Sequence, residues 1–134
     1  MLSAAAEAIL VGQDERPCIL VVEDEVLIRW MVSETMREFG YTVIEASTGD
    51  EALEIVEGGV RVDLVFSDVR MPGSTDGLAL LAKIKLASPG LPVVITSGHC
   101  DPALAIAGGA AAFVRKPYEA DVVAAVISAQ LPKP

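Results

Sequence analysis

The stretch Val65-Phe66-Ser67-Asp68-Val69-Arg70-Met71-Pro72-Gly73 decides the fold. The apolar run Leu64 to Phe66 predicts a buried strand, which ends on an acid before Pro72 and Gly73 impose a loop. In open parallel α/β sheets, ligands bind beyond the carboxyl ends of the strands. Asp68 stands at such an end, so its carboxylate is a candidate nucleophile that accepts a phosphoryl group.

The same grammar repeats on either side. Upstream, Cys18 to Val22 is a short continuous apolar run, as expected of a strand buried on both faces, and Glu23-Asp24-Glu25 follows at once. Val26 to Phe39 has helical spacing, with Leu27 and Met31 on one stripe and Ile28, Val32, Met36 and Phe39 on another, ended by Gly40. Thr42 to Ala46 predicts a second strand, and Thr48 followed by Glu51 fits a capping box opening a helix to Val56. Downstream, Asp76-Gly77 opens a helix closed by Pro89-Gly90, and Leu91 to Thr96 predicts a fourth strand. Asp101-Pro102 opens another helix that Gly108-Gly109 cut short. Ala112 to Arg115 predicts a fifth strand, and Glu119 to Leu131 a last helix. Five strands alternating with five helices imply an α/β, doubly wound, five-stranded parallel sheet of order 2-1-3-4-5, covered on both faces, with a shortened fourth helix.

The 134 residues suffice for one domain, expected over 17–131, with a flexible extension over 1–16 and a tail over 132–134. Apolar residues make up 52%, enough for one full core. A net charge of -9 argues against a nucleic-acid or anionic-membrane surface and suits carboxylates gathered around a cation. Two cysteines, Cys18 and Cys100, make a disulfide framework unexpected. No apolar run approaches the ~20 residues of a membrane span. The N-terminus has no clear signal peptide, so a cytoplasmic location is expected.

The expected strand order brings the strand ends to one rim. They contribute Glu23 and Asp24 from the first strand, Asp68 from the third, Thr96-Ser97-Gly98 from the fourth and Arg115-Lys116-Pro117 from the fifth. Three carboxylates held together repel and raise one another's pKa. A hard divalent cation relieves that repulsion, and Mg2+ suits an oxygen shell with few protein ligands. Lys116 supplies a positive charge for Asp68 or a phosphate, and the Ser97 hydroxyl can donate to a phosphoryl oxygen. Phosphoryl transfer needs this kind of positioning and charge neutralisation, and a carboxylate nucleophile gives an aspartyl phosphate.

These pieces, ILVVEDE, FSDVRMPG, PVVITSG and FVRKP, each at a strand end and in this order, resemble the response regulator receiver domain of two-component signalling. The resemblance covers Pro17 to about Leu131. It implies that Asp68 is the phosphoacceptor, assisted by Lys116 and Ser97. Glu23, Asp24, Asp68 and the backbone carbonyl of Arg70 would hold Mg2+, Ser97 and Phe113 would form the switch, and Lys116-Pro117 would be cis. The implied donor is a histidine kinase or a histidine phosphotransfer protein. The domain would act as a phosphoprotein in a phosphorelay, with self-phosphotransfer and slow autodephosphorylation and no other enzyme activity. Only Pro132-Lys133-Pro134 follow Leu131, so a single-domain type is expected, signalling to a downstream protein or through a homodimer.

Three departures from the family pattern stand out. Glu23 replaces the commoner aspartate, the loop Gly73-Ser74-Thr75-Asp76 is one residue longer, and the segment Gly98 to Ala112 is about a turn shorter. Beside the site, His99 and the Arg70 side chain are candidates for tuning the phosphoryl lifetime, the alternative for His99 being a solvated loop residue. Leu27, Trp30 and Met31 are candidates for partner docking, the alternative for Trp30 being half-buried packing. Three other functions compete. An aspartyl-phosphate phosphatase of haloacid-dehalogenase type would carry a second aspartate where Arg70 stands. A flavin module would need a hydroxyl- and glycine-rich loop where Glu23-Asp24-Glu25 stands. A receiver-like scaffold would bind partners without phosphorylation.

Overall fold

The computed structural model describes residues 16–131. The expected extension and tail fall outside these residues, apart from Arg16. Ten elements alternate strictly: β1 (Cys18–Val22), α1 (Val26–Glu38), β2 (Thr42–Ala46), α2 (Gly49–Glu57), β3 (Leu64–Asp68), α3 (Gly77–Ala87), β4 (Val93–Ser97), α4 (Pro102–Ala107), β5 (Ala112–Arg115) and α5 (Ala120–Gln130). The strands form one parallel sheet of order β2-β1-β3-β4-β5.

Period-two alternation divides the core between the two faces of the sheet. Leu20, Val22, Val65, Val93 and Ile95 pack with Ala52, Leu80, Leu81, Ile84 and Ala105, under α2, α3 and α4. Ile19, Val21, Leu64, Phe66, Val94 and Val114 pack with Val32, Met36, Val123, Ala124 and Ile127, under α1 and α5. Every residue of β1, β3 and β4 is buried, which explains why these strands read as unbroken apolar runs.

Local signals set the element ends. Thr48 Oγ1 accepts from the Glu51 N–H, Asp76 from Ala79 and Asp101 from Ala103. The short α4 follows directly from its punctuation. Pro102 opens it, and Gly109, at φ +99°, lets the Ala110 N–H turn back onto the Ala105 carbonyl at 3.0 Å. A helix bracketed so closely has six residues, against 9 to 13 in the other four.

Several expected boundaries move. β3, expected to run to Ser67, extends one residue further to include Asp68 itself, and β4 runs from Val93 to Ser97 rather than Leu91 to Thr96. Pro92 lies just outside because it has no N–H to give, although its carbonyl still accepts from Val65 at 3.0 Å. Phe39, placed by spacing on the buried stripe of α1, is instead 60% exposed, because the helix ends at Glu38 and the chain turns away.

The start of α3 lies directly on the backbone of Asp68. A β-carbon added to Gly77 would come within van der Waals overlap of the Asp68 carbonyl and the Val69 α-carbon, at 2.1 and 2.7 Å. Gly77→Ala should therefore lower stability in urea unfolding by about 3 kcal/mol, the upper end of ordinary overpacking. Gly90→Ala, with open space around it, should leave the midpoint nearly unchanged.

Candidate functional site

The rim at the carboxyl ends of the strands holds a cleft of about 790 Å³. Asp24, Asp68, Arg70, Ser97, His99 and Lys116 line its polar part, and Ile28, Met31, Pro117 and Tyr118 its apolar wall. The expected convergence of four strand ends is thus present. Carboxylate oxygens of Glu23, Asp24 and Asp68 lie within 4.8 Å of one another.

Asp68 is 7% exposed and its carboxylate is held from two sides. Oδ1 accepts from the Val69 N–H at 2.8 Å, and Oδ2 accepts from Lys116 Nζ at 3.2 Å. Lys116 reaches further, donating to Glu23 Oε1 at 2.6 Å. Glu23, rather than Asp68, is therefore the tighter partner of the lysine. Its other oxygen accepts from the Glu25 N–H at 3.3 Å, and its carbonyl accepts from Arg29 at 2.9 Å. Glu23 is 3% exposed while its neighbour Asp24 is exposed, so the acidic pair offers one buried and one solvated carboxylate.

Repulsion among the acids is not the leading cause of the electrostatic perturbation. Glu23 is pushed up to about 7 chiefly by burial; the Lys116 hydrogen bond opposes this, and the Asp68 charge adds to it. Burial alone would lower Lys116, but the hydrogen bond and charge of Glu23, with Asp68, raise it overall. With all groups ionised, three carboxylates face one ammonium and leave a formal charge of -2. Oxygen donors with that deficit, two of the three acids buried, fit a hard divalent cation.

Ser97 lines the cleft, whereas Thr96, the register partner of Asp68, is buried beneath it with its hydroxyl unpartnered among the described residues. Ser97 Oγ accepts from the N–H groups of His99 and Cys100, at 3.1 and 3.0 Å. It thus caps the following turn, and its own proton remains to be donated. Phe113, the register partner of Ile95, packs on the same face of the sheet as Ser97, against the α2–α3–α4 core, with the Arg115 guanidinium 5.6 Å over its ring. The Lys116-Pro117 bond is cis. His99 and Arg70 are exposed at the rim. Of the docking candidates, Trp30 is 60% and Leu27 79% exposed, so Trp30 is a surface residue rather than half-buried packing; Met31 lines the cleft.

Two features escaped the sequence reading. Tyr118 lines the cleft, edge-on to Phe66 at 6.0 Å, with its hydroxyl unpartnered among the described residues. Burial raises that hydroxyl to about 12, so it stays a donor at neutral pH. The second is Asp50, which binds the loop after β3 and was masked by the capping signal of its neighbours Thr48 and Glu51.

Comparison with known proteins points one way. The sequence matches the response regulator receiver domain family over residues 19–128. It is 36% identical over 116 residues to the DNA-binding transcriptional regulator NtrC of Escherichia coli strain K12, a match covering 84% of this chain and 24% of that protein. The chain thus spans about a quarter of the length of that relative. The receiver domain of NtrX from Brucella abortus superposes with a TM-score of 0.76 at 40% identity, covering 84% of this chain and 97% of that one. The chemotaxis response regulator CheY4 of Vibrio cholerae superposes with a TM-score of 0.80 at 28% identity, covering 87% and 99%.

The elevated Glu23 gives a signed pH dependence. A folded-state pKa above the unfolded value means that the native state holds the proton more tightly. Its contribution to stability is full below pH 4.5 and is lost as pH rises through about 7. In EDTA, wild-type stability should fall across that window relative to Glu23→Gln, as measured by urea unfolding at a series of pH values.

Proposed function

The chain belongs to the response regulator receiver domain family, and on that premise we propose that Asp68 accepts a phosphoryl group from a partner's phosphohistidine. The observation that carries this reading is the meeting of Glu23, Asp24, Asp68 and Lys116 at one open rim. The donor would be a histidine kinase or a histidine phosphotransfer protein. The P–O bond to Asp68 forms as the P–N bond to the donor imidazole breaks, and the imidazole leaves with the electron pair. No base is needed, because an ionised carboxylate has no proton to lose.

Each residue has a part. The Val69 N–H fixes one oxygen of Asp68 and so aims the carboxylate. Lys116 counters charge on the incoming phosphoryl oxygens, and the Ser97 hydroxyl donates to one of them. Glu23, Asp24, Asp68 and the Arg70 carbonyl would hold Mg2+, which when bound offsets the negative charge that the acids and the phosphoryl group bring together. His99 and Arg70, at the rim, would control access of water to the acyl phosphate and hence its lifetime.

Signalling then follows from a biased equilibrium. Drawing the Ser97 hydroxyl towards a phosphoryl group weakens its hold on the His99 and Cys100 N–H groups. That frees the β4–α4 loop and lets Phe113 repack. Leu27, Trp30 and Met31 would present an apolar shelf beside the cleft to the donor. Output passes to a downstream protein or through a homodimer. The domain catalyses only its own phosphorylation and slow hydrolysis, and it works in the cytoplasm. Among the described residues no helix is long and apolar enough to cross a membrane.

Incubation with a small acyl-phosphate donor and Mg2+ should add the mass of one phosphoryl group to the wild type and none to Asp68→Asn. Equal labelling of the two would remove Asp68 from this role. Mg2+ alone should raise the melting temperature of the wild type, since it binds the folded state, and should do so far less in Asp24→Asn.

A further inference from the structure

The loop over residues 70–76 is held at both ends, and its outer hold comes from α2, an element that takes no part in the cleft lining. Its inner end is fixed where Gly77 closes on the Asp68 backbone and the Gly77 N–H donates to the Val69 carbonyl at 2.8 Å. Its outer end is fixed by Asp50, in the first turn of α2. The Asp50 carboxylate accepts from Thr75 Oγ1 at 2.5 Å, from Ser74 Oγ at 3.0 Å and from the Ser74 N–H at 3.3 Å. Lys83 Nζ, from α3, donates to Thr75 Oγ1 at 3.3 Å and so ties the same point to a third element. Thr75 is fully buried although it lies in a loop.

The close approach is built into the backbone. A β-carbon on Gly49 would fall 2.2 Å from the Thr75 carbonyl oxygen, so only glycine there lets the loop sit this close to α2. The Thr75 and Ser74 hydroxyls hold the Asp50 carboxyl below its usual range, which keeps the acceptor ionised.

We propose that Asp50 is a positioning residue for the cation site, stapling the 70–76 loop so that the Arg70 carbonyl stays beside Asp24 and Asp68. This rests on the phosphoacceptor reading above, which makes the Arg70 carbonyl a ligand. The reasoning is geometric. Arg70 sits between the fixed strand end at Asp68 and the staple at residues 74–75. Releasing the staple leaves the loop held at its inner end and by Met71 against the core, so the Arg70 carbonyl, four or five residues from the staple, loses one of its three restraints. Groups that orient metal ligands from outside the coordination shell change affinity by roughly 10–100-fold when removed.

The test is the Mg2+ dissociation constant, measured by calorimetry on the folded protein, for wild type, Asp50→Ala, Asp50→Asn, Thr75→Val and the Asp50→Ala/Thr75→Val double variant. Melting temperatures in EDTA are recorded beside them. Asp50→Ala should weaken Mg2+ about tenfold. Asp50→Asn, which keeps an acceptor oxygen for both hydroxyls, should recover part of the loss. The double variant should be no weaker than Asp50→Ala, because both changes break one staple. An unchanged dissociation constant in Asp50→Ala, with only the melting temperature lowered, overturns the proposal and makes Asp50 a structural tie. If Asp50→Ala does not fold, unchanged Mg2+ binding in Asp50→Asn and Thr75→Val does the same. A wild type that binds no Mg2+ sinks the phosphoacceptor reading itself, and the staple's role with it; a wild type that binds while every staple variant binds equally sinks this inference alone.

Discussion

The ammonium of Lys116, set between the carboxylates of Glu23 and Asp68, is the contact on which the rest depends. Its partners lie 93 and 48 residues away in the chain. They meet only if β1, β3 and β5 stand in the observed order with their carboxyl ends level. An ion pair this poorly hydrated adds little to stability, since desolvation costs several kcal/mol per ion and the mutual attraction only repays it. Exposed pairs such as Arg37–Glu34 are worth less still, at about 0–1 kcal/mol. Burial outweighs pairing at Glu23, which holds its proton unusually firmly. The rim therefore gathers ionisable groups whose desolvation their pairing only offsets.

The fold sustains that gathering by separating tasks. The apolar core is divided between two faces, and each fully buried Leu, Ile or Phe contributes about 1.5–3 kcal/mol. None of the three acids belongs to either cluster. None of the three acids has a positive φ; the tight approaches fall on glycines, at Gly77 against Asp68 and at Gly49 against Thr75. On α1, Ile28 and Met31 line the cleft, while Leu27 and Trp30 lie exposed on the same helix.

Much of this was readable in the residues. The strands announce themselves because burial on both faces demands continuous apolar runs, and each run ends on or beside a residue that the rim brings together: Glu23, Asp68, Ser97 and Lys116. The brevity of α4 was legible because Asp101-Pro102 and Gly108-Gly109 act locally. What stayed hidden depends on contacts across the fold. Nothing in the sequence ranks Glu23 above Asp68 as the partner of Lys116, because that ranking comes from side-chain reach and burial. Phe39 fits the apolar stripe of α1 but falls past the helix end. Asp50 reads as an ordinary first-turn acid, and only the fold shows that it faces Ser74 and Thr75, 24 and 25 residues on.

The most direct measurement of the central claim is chemical identification of the labelled side chain. Borohydride reduces an aspartyl phosphate to homoserine, so reduction of the phosphorylated protein followed by peptide mass spectrometry reports which carboxylate carried the phosphoryl group. The account predicts homoserine at position 68, in the peptide containing Leu64 to Arg70, and nowhere else. Homoserine at Asp24, or no reduced residue in a protein that has taken up phosphate, would contradict it.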